Sequence, residues 1–483
     1  MNILKKIIIV ILSVLISVSP LAFATVVALA TPPQYSESFF GALDEKYDRL
    51  NSVEEEKIVV IGGSSVAFGL DSKRLEEYTG MPVVNFGLYA NLGTKMMLDL
   101  SLSGIERGDV VVLAPELDPE TLSLYFNNES ALMALDDDFS MMLRLKPDDF
   151  LSCVGGMWNF ASDKWSRYVG DNDYQTDGIY RSEHFNSYGD FALVREENIM
   201  PFYYDTNNTV RLNSDILGDD FYDFCDYLNK YIKKCERRGA TVYFSYCPIN
   251  ELALDDGSDK ASREEFCDLL EENIDCEFIS YIDDYILDAG YFFDTNFHLN
   301  DSGVMLRTIR LAKDIRLSHG IVQGIIKDEE PEAPALPFFD VIIDTEDENA
   351  RYFTFSLLEN GAYGISGLSE IGKKETRLVI PVGYDGRKVV AILEGALNGS
   401  AVSELVITEN SNIARIDNGA FVGASNLKDL YIYKVSEDDI SPPADFYGVN
   451  PDFKLHVPIG SNYSTGYKWT NKGINIVFDI VMS

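Results

Sequence analysis

Between residues 57 and 113 the apolar positions fall in short blocks separated by turn residues. Lys57-Ile58-Val59-Val60-Ile61 is a continuous β-rich run that stops at Gly62-Gly63-Ser64-Ser65. That pattern predicts a strand buried on both faces, followed by a tight turn. A helical stretch over about Ser72 to Tyr78 closes at Gly80, and Val83 to Phe86 predicts a second strand ending at Gly87. A helix from about Thr94 to Ile105 and a strand from Val110 to Leu113 follow. The alternation resumes with a helix over Asp219 to Arg238, whose Phe221, Phe224, Leu228 and Ile232 share one side. Gly239 ends it, and Thr241 to Tyr246 predicts the next strand. A helix near Ala261 to Asn273, a strand around Glu277 to Tyr281 and a last helix from about Asp301 to Ser318 complete the series. Short βα connections predict a parallel sheet covered by helices on both faces. Five such strands fit a flavodoxin-like three-layer α/β/α sandwich.

Several segments stand outside this alternation. Lys5 and Lys6 precede an apolar run from Ile7 to Ala30 that ends in Ala28-Leu29-Ala30. Residues 1–30 therefore predict a signal peptide or a membrane anchor, and the chain is expected to be exported. Residues 31–327 form the α/β domain. An insertion at about 118–215 carries Trp158, Trp165, Tyr168, Tyr203 and Tyr204, which suit either an aromatic sugar-binding wall or ordinary packing. Residues 328–337 are acidic and proline-rich, as an extended linker would be.

Residues 338–483 repeat. Val390-Ala391-Ile392, Gly395-Ala396-Leu397, Gly399, Val402 and Leu405-Val406-Ile407 return as Ala414-Arg415-Ile416, Gly419-Ala420-Phe421, Gly423, Leu427 and Leu430-Tyr431-Ile432. The offset is 24 residues, then 25. Leu378-Val379-Ile380 and Leu455-His456-Val457 look like partial copies, with 340–370 and 460–483 as candidate caps. A period of this size with one short apolar strand per copy predicts a β-rich solenoid. The copies resemble bacterial surface-antigen (BspA-type) leucine-rich repeats.

The net charge of −38, from 78 acids against 40 bases, disfavours binding to nucleic acid. Six cysteines in an exported chain permit disulfides, but none has C-x-x-C spacing, and their apolar neighbours favour buried thiols.

The candidate chemistry lies at the turn after the first strand. A serine there is presented at the sheet edge, where a helix N-terminus helps a developing oxyanion. The turn lacks the spacing of a dinucleotide-binding loop and the Gly-Lys-Ser/Thr of a P-loop. An activated serine needs a base. Of His184, His298, His319 and His456, only His298 falls in a loop on the expected sheet edge, with Asp294 four residues before it. His would take the serine proton while the acid fixes the imidazole.

Over roughly residues 55–320 the chain resembles the SGNH (GDSL-type) esterase and acyltransferase family. Ile61-Gly62-Gly63-Ser64-Ser65-Val66 is similar to its first block, with Ser64 in the Asp position and Ser65 matching the nucleophile. Val84-Asn85-Phe86-Gly87 through Gly93 resembles the second block, so Gly87 and Asn91, with Ser65, are implied as oxyanion-hole donors. Asp294 through Asn300 resembles the last block, one residue longer than usual, implying a Ser65–His298–Asp294 triad. The third block departs. It reads Leu113-Ala114-Pro115-Glu116, without the family's oxyanion-hole Asn.

The resemblance implies an exported serine esterase or O-acyltransferase that needs no metal or organic cofactor. Its expected substrate is an acylated cell-surface or cell-wall glycan or another small ester. The alternative is a surface protein without catalysis, whose repeats bind a protein or wall partner.

Overall fold

A computed structural model describes residues 19–482 apart from 171–177, 337–346, 465–467 and the single positions 201, 207, 256, 323 and 359. Most of the expected targeting segment (1–18) and the expected start of the repeat domain lie outside the described residues. One compact unit ends at Leu336 and a second follows it.

The first unit is built on five parallel strands: β1 Ile58–Gly62, β2 Val83–Gly87, β3 Val110–Leu113, β4 Thr241–Phe244 and β5 Glu277–Phe278, in the order 2-1-3-4-5. The helices are α1 Ala42–Ser52, α2 Ser64–Ala67, α3 Ser72–Thr79, α4 Thr94–Ser101, α5 Asn128–Ala134, α6 Pro147–Gly170, α7 Asp219–Arg238, α8 Lys260–Asn273 and α9 Asp301–Ser318. Alternate strand residues serve two cores, as a period of two requires. Val59, Ile61, Val84, Phe86 and Val111 pack with α4, α7 and α8. Ile58, Val60, Val83 and Val110 pack with α3 and α9. Asp71 caps α3 by accepting the Arg74 N–H at 3.0 Å, and Gly80 ends it in the left-handed region at φ 74°. The predicted helix over 94–105 stops at Ser101 and tightens into a 3₁₀ turn over Leu102–Gly104.

The insertion contributes α5 and α6 and then runs largely without regular structure to α7. A buried carboxylate pins it to the sheet edge. Asp190 accepts from Ser72 N–H (2.9 Å), Ser72 Oγ–H (2.5 Å) and Asn85 Nδ2 (2.9 Å), and Phe191 N–H donates to Ala67 O at 2.9 Å. The expected linker is no free tether over the residues described. Tyr78 and Arg74 bond to Asp328, Arg310 and Lys313 hold Glu330, and Tyr291 Oη donates to Pro331 O at 2.7 Å. All six cysteines are free thiols, four of them fully buried.

The second unit contains parallel β-sheets. One has strands Arg377–Val379, Glu404–Ile407, Asp429–Ile432, Lys454–Pro458 and Asn475–Ile480, all parallel and in chain order. Equivalent positions of the two clear copies bond to each other. Gly395 N–H donates to Gly419 O (3.0 Å) and Gly399 N–H to Gly423 O (3.2 Å), while Leu397 N–H reaches Ala420 O (3.4 Å), one position short of its counterpart Phe421. Of the expected caps, Phe353–Leu357 and Tyr363–Leu368 pair antiparallel, while Asn475–Ile480 is an edge strand.

Lys57 and Asp109 enter β1 and β3 as an ion pair at 3.0 Å, each almost fully buried. Removing one partner leaves the other charge uncompensated, which costs about 3–5 kcal/mol. Asp109→Ala should lower the urea midpoint of the first unit accordingly, read by circular dichroism. An unchanged midpoint would show that the pair contributes nothing to the sheet.

Candidate active site

Gly62 ends β1 where no side chain fits, and Gly63 follows it against a carboxylate. A Cβ on Gly62 would lie 2.4 Å from Ala114 O, and one on Gly63 would lie 2.3 Å from Glu116 Oε2. Gly87 is equally tight, with Val66 Cβ at 2.4 Å and Gly63 O at 2.7 Å. The three glycines bring the C-terminal ends of β1, β2 and β3 together where the strand order reverses, the usual binding crevice of an open α/β sheet. The single turn α2 starts there with Ser64 and Ser65.

The two serines differ. Ser65 is fully buried, and its Oγ finds no well-formed hydrogen bond among the described residues. Its N–H donates to Glu116 Oε1 at 2.7 Å, and its carbonyl accepts from buried Arg307 Nη1 at 2.5 Å. Burial pushes the Glu116 carboxyl up, opposed by the N–H and nearby hydroxyl of Ser65. Ser64 is partly exposed, and its N–H has no partner among the described residues.

The histidine loop is a closed hairpin. Antiparallel pairing of Phe292 with Leu299 and the Phe293 N–H···O His298 bond (2.9 Å) close a hairpin around residues 294–297. Asn300 then caps α9, accepting the Gly303 N–H at 3.0 Å. The hairpin absorbs the extra residue of the Asp-x-x-x-His spacing, because Asp294 Oδ1 still lies 2.8 Å from His298 Nδ1. Tyr180 Oη donates to the other Asp294 oxygen at 2.6 Å. Burial raises the Asp294 carboxyl, but His298, the Tyr180 hydrogen bond and Arg195 outweigh it and hold the group below its ordinary value. Burial and the Asp294 charge push Tyr180 up, so it remains a protonated donor.

Phe68 joins the two halves. Its ring lies flat on His298, centroids 3.9 Å apart at 7°, and one helical turn after Ser64. Positions four apart share a helix face, so Ser64 and Phe68 lie on one side of this turn. Neither Ser64 nor Ser65 is hydrogen-bonded to His298. Apo catalytic contacts are often open in this way and tighten on binding. Arg195 stands over the Phe68 ring at 5.0 Å and the Phe191 ring at 5.4 Å. Its Nε and Nη1 are buried without a partner among the described residues, and burial lowers it to about 10.

The expected oxyanion donors are otherwise occupied. Ser65 N–H goes to Glu116, Gly87 N–H to Asn85 Oδ1 (3.1 Å), and Asn91 Nδ2 to Ser130 Oγ (3.3 Å) with Tyr125 on its Oδ1. Of the remaining histidines, His184 packs edge-on to Phe191, His319 meets Tyr243 Oη at 3.2 Å, and His456 lies between Asp429 and Asp479 in the second unit. Tyr180 and Arg195 belong to the insertion and carry no sequence signal that marks them. Glu116 stands where the third block departs from the family pattern, and that departure is its signal. No family model and no curated protein sequence matches this chain.

Glu116 gives a pH prediction. A carboxyl whose folded value lies above its unfolded value stabilises the fold fully below the unfolded value and loses that contribution as the pH rises from there through the folded value. Glu116→Gln keeps an acceptor for the Ser65 N–H and does not titrate. It should melt higher than the parent at neutral pH, with the gap closing as the pH falls toward 4.5. A gap independent of pH in differential scanning calorimetry would contradict the assignment.

Proposed function

We propose that the first unit is an SGNH-type serine esterase or O-acyltransferase with a flavodoxin-like core. It is exported and works on acyl groups, acetyl foremost, of cell-surface or cell-wall glycans. The observation that carries this reading is the Asp294–His298 pair held against Phe68, one turn after a serine at the end of β1. His298 is the general base, then the general acid, and Asp294 orients it. Tyr180 supports Asp294 as a positioning residue.

Ser64 is the better nucleophile. Substrate must reach the attacking oxygen, and the Ser65 hydroxyl is enclosed beside Glu116. Gly62-Gly63-Ser64 then matches the family's Gly-Asp-Ser directly, with glycine in the Asp position. Ser64 Oγ bonds to the acyl carbon as its proton passes to His298 Nε2. The C–O bond to the leaving alcohol breaks, and His298 returns the proton to that oxygen. His298 then takes a proton from water or a glycan hydroxyl, whose oxygen bonds to the acyl carbon; the Ser64 Oγ–acyl bond breaks and His298 returns the proton to Ser64 Oγ, so the acceptor separates hydrolase from transferase. The unpartnered Ser64 N–H is a candidate oxyanion donor. The second unit is proposed as a leucine-rich-repeat solenoid that engages a protein or wall partner.

A non-catalytic surface role is the second reading, and the three occupied oxyanion donors favour it. A fluorophosphonate probe on the full chain separates the two. Labelling should persist in Ser65→Ala and fall at least about 10²-fold in rate in Ser64→Ala and His298→Ala, the scale of a lost base. Loss in Ser65→Ala with labelling kept in Ser64→Ala would restore Ser65 as nucleophile. No labelling of folded parent protein would leave the binding role.

A further inference from the structure

Residues 19–30 are helical and packed into the first unit. Ala24 and Ala28 are buried in its main core. Lys164 of α6, buried at 1% exposure, donates to Ala28 O at 2.9 Å and pairs with Asp136. Thr31 Oγ1 and N–H both bond to Val27 O, and Gln34 N–H bonds to Asp136. Cleavage after Ala30 would strip a buried lysine of one acceptor and remove the Phe23, Ala24 and Val27 wall of an apolar groove of about 430 Å³ that Trp158, Ala161 and Trp165 complete.

The outward side of this helix is also apolar. Phe23, Val26 and Leu29 are 63%, 62% and 63% exposed. A helix that is apolar all round belongs in a core or a bilayer. Beside it, α6 presents Leu151, Trp158 and Trp165 seven residues apart, with Val169 and Tyr168 at its end, all exposed. Upstream, the sequence runs mainly apolar to Ile7, interrupted by Ser13, Ser17, Ser19 and Pro20, behind Lys5 and Lys6. Two half-exposed tryptophans and a tyrosine beside a bilayer-length apolar run have the composition of a membrane-interface belt.

We infer that residues 7–30 are a retained signal anchor and that the exposed stripe of α6 rests in the outer face of the same membrane. Lys5 and Lys6 set the N-terminus on the cytoplasmic side, so the enzyme-like unit faces out, close to the surface. Contact is apolar: a chain of net charge −38 gains nothing from anionic lipid, so salt does not release it. The inference is independent of whether the serine site is catalytic.

The test uses the full chain, produced with export in a bacterium. The purified protein should have the mass of the uncleaved chain and stay with membranes through high-salt and alkaline carbonate washes. A mature N-terminus at Thr31, or release by carbonate, overturns the anchor. In vesicles containing phospholipid brominated near the headgroup, tryptophan emission should be quenched. The W158F/W165F double variant, which retains buried Trp469 and should melt like the parent, should lose that quenching. Equal quenching in parent and double variant, or none in either, overturns the docking of α6.

Discussion

The first unit depends on the close approach of its strand ends at three glycines. Gly62, Gly63 and Gly87 let the ends of β1, β2 and β3 approach until backbone and carboxylate fill the space a Cβ would need. Everything chemical in the unit is placed relative to that contact: α2 with its two serines, Glu116 from the segment after β3, and Phe68 at the end of the turn. A methyl group at Gly63 would have to displace the Glu116 carboxylate, and with it the acceptor for the Ser65 N–H.

The sheet was readable because its strands are buried on both faces and so appear as unbroken apolar runs bounded by glycine. β3, α7 and α9 begin and end within a residue of their predicted limits. The Asp294–His298 pair was readable from a short spacing within one loop. The oxyanion donors were not. A backbone N–H carries no sequence mark, and whether Gly87 N–H is free depends on Asn85, whose side chain turns back on it. The choice between adjacent serines was also beyond pattern, since burial, not residue type, separates Ser64 from Ser65. Tyr180, 114 residues before Asp294, and Arg195, 127 residues after Phe68, come from a segment with little regular structure, where periodicity has nothing to report.

The insertion is held by polar contacts as well as by packing. Asp190 collects hydrogen bonds from α3, β2 and its own turn, and Lys46 donates to Asn85 O and Gly189 O from α1. Burial lowers the Lys46 ammonium to about 7. A loop tied to a sheet edge by buried polar groups is fixed in register, because any slip strands a charge in the interior. Tyr180 and Arg195 inherit that register, which is why residues from an irregular segment can stand at fixed distances from His298 and Phe68.

In the second unit several of the bonds between copies join a residue to its own counterpart one period later. Gly395 meets Gly419, and Gly399 meets Gly423. At these positions a donor and its acceptor are the same kind of residue in successive copies. A change of length by one whole copy would conserve such contacts, whereas a change of any other size would set unlike positions against each other.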